Sequence, residues 1–124
     1  MSTCTAQPLS PTAALADAEH LFALGFTIPA AMLGRLAVER VVIDLYERRA
    51  IDPPTVKPGY IHPPFPIRAL FLTRAGAITP GDRHRLERLY RCGSFAVHGS
   101  DIGEHRTGRY LERVRAMLEG RPLQ

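Results

Sequence analysis

Apolar residues recur at three- and four-residue steps in several separate stretches of this chain, a pattern that predicts amphipathic helices. The clearest stretch spans Gly81 to Gly99, and its apolar face collects Leu86, Leu89, Tyr90, Gly93 and Val97. A polar stripe occupies roughly the opposite side: His84, Glu87, Arg91, Ser94 and His98. Convincing strand alternation, with its period of two, is not found in the sequence. The pattern therefore predicts an all-α protein.

Capping signals place the first helix. Ser10 followed by Pro11 is typical of an N-cap and a first helical turn. We expect this helix to reach about Leu24, with Gly25 placed to stop it. Its expected apolar side comprises Leu15, Ala18, Leu21, Phe22 and Phe26. Residues 1–9 precede it and are expected to form a loose tail.

A second, longer helix is predicted from Thr27 to about Arg49. Its wide apolar stripe comprises Leu33, Leu36, Ala37, Val38, Val41, Val42 and Leu45. Two pairs have the i,i+4 spacing of ion pairs on the solvent side: Arg35 with Glu39, and Asp44 with Arg48. Each such pair contributes only about 0.2–0.5 kcal/mol.

The segment 51–66 contains six prolines and is predicted to be a crossover loop. Proline lacks the backbone N–H and restrains its predecessor from helical geometry, so we expect an extended, partly polyproline-like chain. Tyr60, Ile61 and Phe65 are candidates to clamp this loop onto the helices, and the loop is expected to cover a helix edge. Its spacing is also compatible with a proline-motif ligand.

Three further helices complete the prediction. A short one spans 67–75, with Ile67, Leu70 and Phe71 expected to face inward. Thr79 and Pro80 begin the next, where Gly93 is expected to permit close helix approach or a bend. The last runs to about Glu119, with Tyr110, Leu111, Val114, Met117 and Leu118 apolar and Arg106, Arg109 and Arg113 on its outer side. Four main helices and one short one predict a bundle in a single domain, residues 1–124.

The amino-acid composition limits the classes of protein to which this chain can belong. Apolar residues make up 45% and charged residues 23% of the 124 residues, as in ordinary globular proteins. Membrane-spanning runs and a secretory signal are not expected, and the two cysteines make neither a disulfide framework nor a zinc set. We therefore expect a cytoplasmic protein that needs no metal and no cofactor.

The net charge of +4 permits a polyanionic partner without requiring one. Fifteen of the sixteen basic residues are arginine, which favours planar, bidentate phosphate recognition. A GC-rich genome is the alternative explanation, because it also favours the abundant Ala, Gly and Pro of this chain. Charge alone does not decide between the two.

Arg91 and His98 are the residues with the most informative chemistry. They are seven positions apart, hence within about 20° on a helix and about 10 Å along its axis. Arginine can hold a phosphate while histidine moves a proton near neutral pH, and this pair suffices for metal-independent RNA cleavage through the ribose 2′-OH. Ser94 lies between them, and Arg88, Glu87 and His84 are further candidate RNA contacts.

A homodimer would close the distance between the two groups, and Phe95, expected outside the core, suggests a covered surface that fits a dimer. Two alternatives remain open. Arginine and histidine at this spacing also occur by chance in arginine-rich helices, and His98 can cap the carboxyl end of its helix beside Gly99. A helix-turn-helix DNA contact is weaker, because no compact two-helix turn precedes the arginines of this stretch.

The run LYRCGSFAVHG, residues 89–99, resembles the signature helix of the HEPN superfamily, whose motif is Arg, four to six residues, then His. The segment LAVERVV, residues 36–42, is similar to the second helix of HEPN relatives. The resemblance extends over residues 12–119 and implies a four-helix up-and-down bundle that forms a homodimer. In active members it implies a metal-independent endoribonuclease, often a toxin or phage-defence effector, with Arg91 and His98 as the catalytic pair.

The superfamily also contains non-catalytic members that dimerise or bind ligands. Active members usually carry Asn, Asp or His directly after the arginine, where this chain has Cys92, and Ser94 stands where some relatives have Asn. Two hypotheses therefore follow from the resemblance. The first is a dimeric ribonuclease acting on RNA, with an antitoxin or other protein as a further partner. The second is a non-catalytic module that dimerises or binds a partner or nucleotide.

Overall fold

Five helices form the bundle in a computed structural model that describes residues 9–49, 64–99 and 101–120. They are α1 (Pro11–Ala23), α2 (Thr27–Arg48), α3 (Phe65–Arg74), α4 (Pro80–Val97) and α5 (Glu104–Glu119). No strand occurs in these ranges, which confirms the predicted all-α bundle with a short extra helix. Most of the predicted proline-rich loop, including Tyr60 and Ile61, and most of the predicted tail lie outside the described residues.

Helix α2 is the centre of the bundle, because it packs against each of the other four helices. Its buried positions combine small residues with larger apolar ones: Ala30, Ala31, Gly34, Ala37, Val38, Val42, Leu45 and Tyr46. Helices α1 and α5 run antiparallel. Phe22 packs at Gly108, whereas Glu19, one turn before Phe22, binds Arg115, two turns after Gly108. The Nε of Arg115 donates to Glu19 Oε2 at 2.7 Å.

The predicted starts of α1 and α4 are confirmed by their caps. The Ser10 hydroxyl accepts a hydrogen bond from the Ala13 amide at 3.1 Å. At the start of α4, Thr79 and Asp82 form a reciprocal capping box, with bonds of 3.0 and 3.3 Å. The expected stop at Gly25 is also confirmed, and its φ of +90° is a conformation that glycine adopts without strain.

Helix α3 begins earlier and buries a different face than predicted. It starts at Phe65, so the loop assigned to 51–66 ends two residues sooner than expected. Its buried face is Phe65, Ala69 and Leu72, whereas Ile67 is exposed and Leu70 and Phe71 are half-buried. The reason is an aromatic contact with α4. The Phe65 ring stacks on the Tyr90 ring with centroids 4.1 Å apart, and this contact fixes the rotation of α3.

Other local expectations were wrong at the ends of helices. Phe26 is 55% exposed and Val97 is 42% exposed, because each lies at a helix end beyond the packed layer. On α2 the predicted stripe is confirmed at its buried residues Ala37, Val38, Val42 and Leu45. The rest of the stripe, Leu33, Leu36 and Val41, is half-buried and packs against the core. Small residues on the other flank of that stripe allow closer packing and take the central positions.

One of the two predicted ion pairs is confirmed. Arg35 Nε lies 3.3 Å from Glu39 Oε1. Asp44, in contrast, accepts from Arg40 Nη2 at 2.8 Å, and Arg48 donates to the Asp44 backbone carbonyl instead. Both arginines are one helical turn from Asp44, so spacing alone could not choose between them.

Tyr110 lies at a close contact of α2, α4 and α5. A Cβ atom built on Gly93 would lie 2.6 Å from both Arg35 Cβ and Tyr110 Oη. A Cβ on Gly34 would lie 2.7 Å from Tyr110 Cε2 and 2.9 Å from Leu111 Cδ2. The expectation that Gly93 permits close helix approach is therefore confirmed, and a second glycine on α2 serves the same contact.

The close approach at Gly93 predicts a large effect of a single methyl group. We expect Gly93→Ala to lower the free energy of unfolding by about 1–3 kcal/mol, because the added Cβ overpacks the joint. Urea unfolding followed by circular dichroism measures this. Gly81→Ala in the first turn of α4 is the matched control, since its Cβ would meet only Thr79 Oγ1 at 3.7 Å. It should stabilise by up to about 1 kcal/mol through helix propensity. Equal effects of the two substitutions would contradict the packing assigned to Gly93.

Tyr110 also makes stability depend on alkaline pH. Its hydroxyl is buried and has no hydrogen-bond partner among the described residues. Burial, and to a lesser degree the nearby Cys92, raise the pKa of Tyr110 well above its ordinary value. The unfolded chain therefore releases the Tyr110 proton near pH 10, whereas the folded state retains it. The contribution of the neutral Tyr110 side chain to the free energy of unfolding is complete below about pH 10 and is lost as the pH rises above it.

We expect Tyr110→Phe to leave unfolding at neutral pH unchanged or to stabilise by up to about 1–3 kcal/mol, since it removes an unpaired buried hydroxyl. The stability lost between about pH 8 and pH 11 should be smaller in the variant than in the parent protein. Urea titrations at the two pH values measure both quantities. Destabilisation at neutral pH by more than about 1 kcal/mol would mean that the hydroxyl has a partner.

Candidate functional site

A groove of about 640 Å³ lies between α4 and α5. Its basic side chains are His84, Arg85, Arg88 and Arg91 from α4 and Arg113 from α5. Apolar and sulfur-bearing side chains complete it: Leu89, Cys92, Phe95, Tyr110 and Ala116. The lining contains no aspartate or glutamate among the described residues. The groove is therefore a positively charged channel with an apolar floor.

The helical repeat of α4 produces one wall of this groove. His84, Arg88, Arg91 and Phe95 follow one another at steps of four, three and four residues, which places them along one stripe. All four are exposed. On the opposite side Leu86, Leu89, Gly93 and Ala96 are buried and fix the rotation of the helix. The same packing that buries the apolar face thus turns the cationic stripe outward.

Packing behind α4 holds the helix in place. Arg35 of α2 lies over the Tyr90 ring, with its Cζ 4.5 Å from the centroid, and its Nη2 donates to the Tyr90 hydroxyl at 2.5 Å. The other partner of this ring is Phe65, which stacks on it. Tyr90 is adjacent to Arg91 in sequence, so the position of the exposed guanidinium rests on contacts from α2 and α3.

The arginines of the groove form no ion pair with any neighbour that the structure describes. No ion pair involves Arg85, Arg88, Arg91 or Arg113 within the ranges 9–49, 64–99 and 101–120. Arg83, which lies outside the groove on the same helix, pairs with Glu87 at 3.0 Å. Four guanidinium groups with no ion pair among the described residues have the charge and planar donor geometry that suit phosphate or another polyanion.

Three of the six residues predicted for the site lie together. His84, Arg88 and Arg91 are exposed and line the groove. Glu87 does not line it; its carboxylate is half-buried and engaged with Arg83. The spacing correctly predicted Glu87 on the polar side of α4. It could not show that Glu87 pairs with Arg83 instead of lining the groove.

Ser94 and His98 lie away from the groove lining. The Ser94 hydroxyl is half-buried and donates to the Tyr90 carbonyl at 2.8 Å, so it orients neither Arg91 nor His98 in this structure. His98 is exposed at the C-cap of α4, where its backbone N–H donates to the Ser94 carbonyl at 3.2 Å. Arg91 and His98 are both exposed, two helical turns apart, as their spacing predicted.

Arg113 and Arg85 are lining residues that the sequence did not assign to the site. Arg113 was expected on the outer side of the last helix, and it is exposed there. No sequence pattern shows that this outer side borders α4, because that depends on how α5 packs. For Phe95 the sequence did contain a signal, because an aromatic residue on the polar side of α4 was expected outside the core. Its side chain is 54% exposed.

Other kinds of site receive no support from the described residues. In the three described ranges, no three or more His, Cys, Asp or Glu side chains are grouped so as to hold a metal ion. None of the helices described there is both long and apolar enough to cross a membrane.

Neither a protein-family model, nor a curated protein, nor a solved structure matches this chain. The chemistry of the groove and of α4 is therefore the basis on which a function can be assigned.

Proposed function

We propose that this protein is a HEPN-like, metal-independent endoribonuclease that acts as a homodimer. RNA phosphates bind along the groove between α4 and α5, Arg91 contacts the scissile phosphate and His98 transfers protons. The resemblance of residues 89–99 to the HEPN signature helix extends the proposal to a toxin or phage-defence effector, with an antitoxin or other protein as a further partner.

The observation that supports this proposal best is the exposure of Arg91 in a groove without carboxylates. A guanidinium with no ion pair among the described residues is free to bind phosphate. His98, exposed on the same side of α4, has the chemistry to take the proton of a ribose 2′-OH as it attacks the adjacent phosphate. Arg91 then stabilises the charge that develops on the phosphate oxygens.

A homodimer supplies the geometry that one subunit lacks. Two helical turns, about 10 Å along the axis, separate Arg91 from His98, which is rather distant for both to act on one phosphate. Exposed apolar residues gather at the end of the bundle near His98: Val97 on α4, and Leu24 and Phe26 in the turn between α1 and α2. The Thr27 hydroxyl donates a hydrogen bond to Asp101, which links the start of α2 to the segment between α4 and α5 at this end. A second copy covering these residues brings His98 of one subunit towards Arg91 of the other.

A non-catalytic binding module is the second candidate. It is favoured by Ser94, whose hydroxyl is bonded to the backbone, and by the position of His98 beyond the groove lining. In this case the protein binds RNA, a nucleotide or a partner protein without cleaving it.

Cleavage in the presence of EDTA separates the two candidates. We expect the purified protein to cut a structured RNA, and both Arg91→Ala and His98→Ala to reduce the rate by at least about 100-fold, the scale of acid–base catalysis. Gel analysis of end-labelled RNA measures this. Arg74→Ala and His20→Ala, at exposed positions on α3 and α1, are matched controls and should retain full activity. Circular dichroism verifies that each variant is folded.

If no RNA is cut and overexpression leaves growth normal, while the protein still binds RNA, the binding module is the correct assignment. Cleavage that persists in His98→Ala would contradict the role proposed for that imidazole.

A mixing experiment tests whether the site is shared between subunits. If Arg91 of one subunit acts with His98 of the other, a heterodimer of the two inactive variants contains one intact site. Random exchange of subunits gives half heterodimers, so activity should return to about a quarter of that of the parent protein. The mixture is assayed after dilution and re-equilibration, with each variant alone as control. Absence of recovery, together with a confirmed dimer, would show that each site lies within one subunit.

A further inference from the structure

We propose that the groove between α4 and α5 takes an unpaired nucleotide of single-stranded RNA, with its base stacked on Phe95 and the flanking phosphates on Arg88, Arg91 and Arg113. This inference rests on the proposed function, because it names the substrate class of the same site. It goes further by assigning a base-stacking residue and a phosphate contact from a second helix.

Phe95 is placed to receive a base. Its side chain is 54% exposed although it is among the largest apolar side chains of the protein. It lines the groove four residues after Arg91 and seven after Arg88, so it lies on the same stripe as both arginines. A phenyl ring beside guanidinium groups matches the alternation of base and phosphate along a nucleic-acid strand.

The phosphate contacts come from both walls. Arg88 and Arg91 belong to α4, whereas Arg113 belongs to α5 and faces the groove from the other side. None of the three forms an ion pair within the described part of the chain, so no carboxylate has to be displaced when a phosphate binds. Opposed cations on two helices fit a strand that passes through the groove.

The dimensions and the aromatic contact favour an unpaired strand over a duplex. A volume of about 640 Å³ lies in the range of sites that enclose a drug-sized ligand, which is the size of one nucleotide. Bases within a duplex have both faces covered by their neighbours and cannot stack on Phe95. An unpaired base offers a free face, and such a stack contributes about 1–3 kcal/mol.

Fluorescence anisotropy with the full chain tests the inference in a His98→Ala background, which prevents cleavage during the titration. The probe is a labelled single-stranded RNA of about ten nucleotides, compared with the same strand annealed to its complement. We expect Phe95→Ala to weaken single-strand binding about 10- to 100-fold and duplex binding by less than about twofold. Phe95→Tyr should retain binding, because it keeps the ring. Ile67→Ala, an exposed apolar residue on α3, is the matched control and should bind as the parent does.

Two further measurements assign the contacts. Replacing the bases of the probe with abasic sites should abolish the difference between Phe95→Ala and the parent protein. Arg113→Ala should lower the slope of log K against log salt by about 0.7, the value for one phosphate contact on a single strand. Arg109→Ala, which is exposed one turn earlier on the same helix and is not part of the groove lining, should leave that slope unchanged.

Equal losses for single strand and duplex, or no single-strand binding by the parent at low salt, would overturn the inference. So would a Phe95→Ala protein that loses dimerisation, measured by light scattering, but binds RNA normally, since Phe95 would then be a contact between subunits. The proposed nuclease fails separately: stacking on Phe95 without any cleavage by the parent protein would leave this inference standing and remove the enzyme. Cleavage by the parent protein, together with unchanged single-strand binding by Phe95→Ala, would support the enzyme and remove this inference.

Discussion

The close contact of three helices around Tyr110 is the constraint on which the rest of the structure depends. Gly93 and Gly34 leave no room for a Cβ, so α4 and α2 approach the Tyr110 ring to within van der Waals distance. A helix that approaches this closely has little freedom to rotate about its axis. The contact therefore fixes which residues of α4 face the core and, by the same step, which face the solvent. The Tyr110 hydroxyl is buried there without a hydrogen-bond partner among the described residues, which is costly in free energy.

The groove is a consequence of that fixed rotation. Once Gly93 faces α2 and α5, the stripe that contains Arg88, Arg91 and Phe95 must face outward, and α5 must lie beside it. Tyr90 adds a second restraint, because Arg35 and Phe65 occupy its two faces. The position of the exposed cations is thus set largely by residues that do not line the groove, among them Gly93, Arg35 and Phe65. This arrangement is typical of binding sites on rigid helices, where packing behind the site preorganises the side chains in front.

The sequence predicted the elements well because their signals are local. Caps at Ser10 and Thr79, the stop at Gly25 and the 3.6-residue period of α4 all depend on neighbours within one turn, and all are confirmed. Errors arose where the outcome depends on distant contacts. The face of α3 is set by the stacking of Phe65 on α4, and the wall that Arg113 forms is set by the packing of α5. Neither contact leaves a local pattern, so neither could be predicted from spacing.

The distribution of arginine bears on whether its abundance reflects only a compositional bias. Bias explains how many arginines a chain contains, but it does not explain where carboxylates are absent. Arg35, Arg40, Arg83 and Arg115 each have a glutamate or aspartate partner, and they hold helices or helical turns together. The arginines of the groove gather on two helices around an exposed phenyl ring, with no acidic residue in the described lining. Mutual repulsion makes such a cluster costly, and a bound anion would offset that cost. Exposed arginines outside the groove, such as Arg74 and Arg109, also have no ion pair among the described residues. The groove arginines are therefore distinguished by their grouping around one concave surface rather than by their lack of partners.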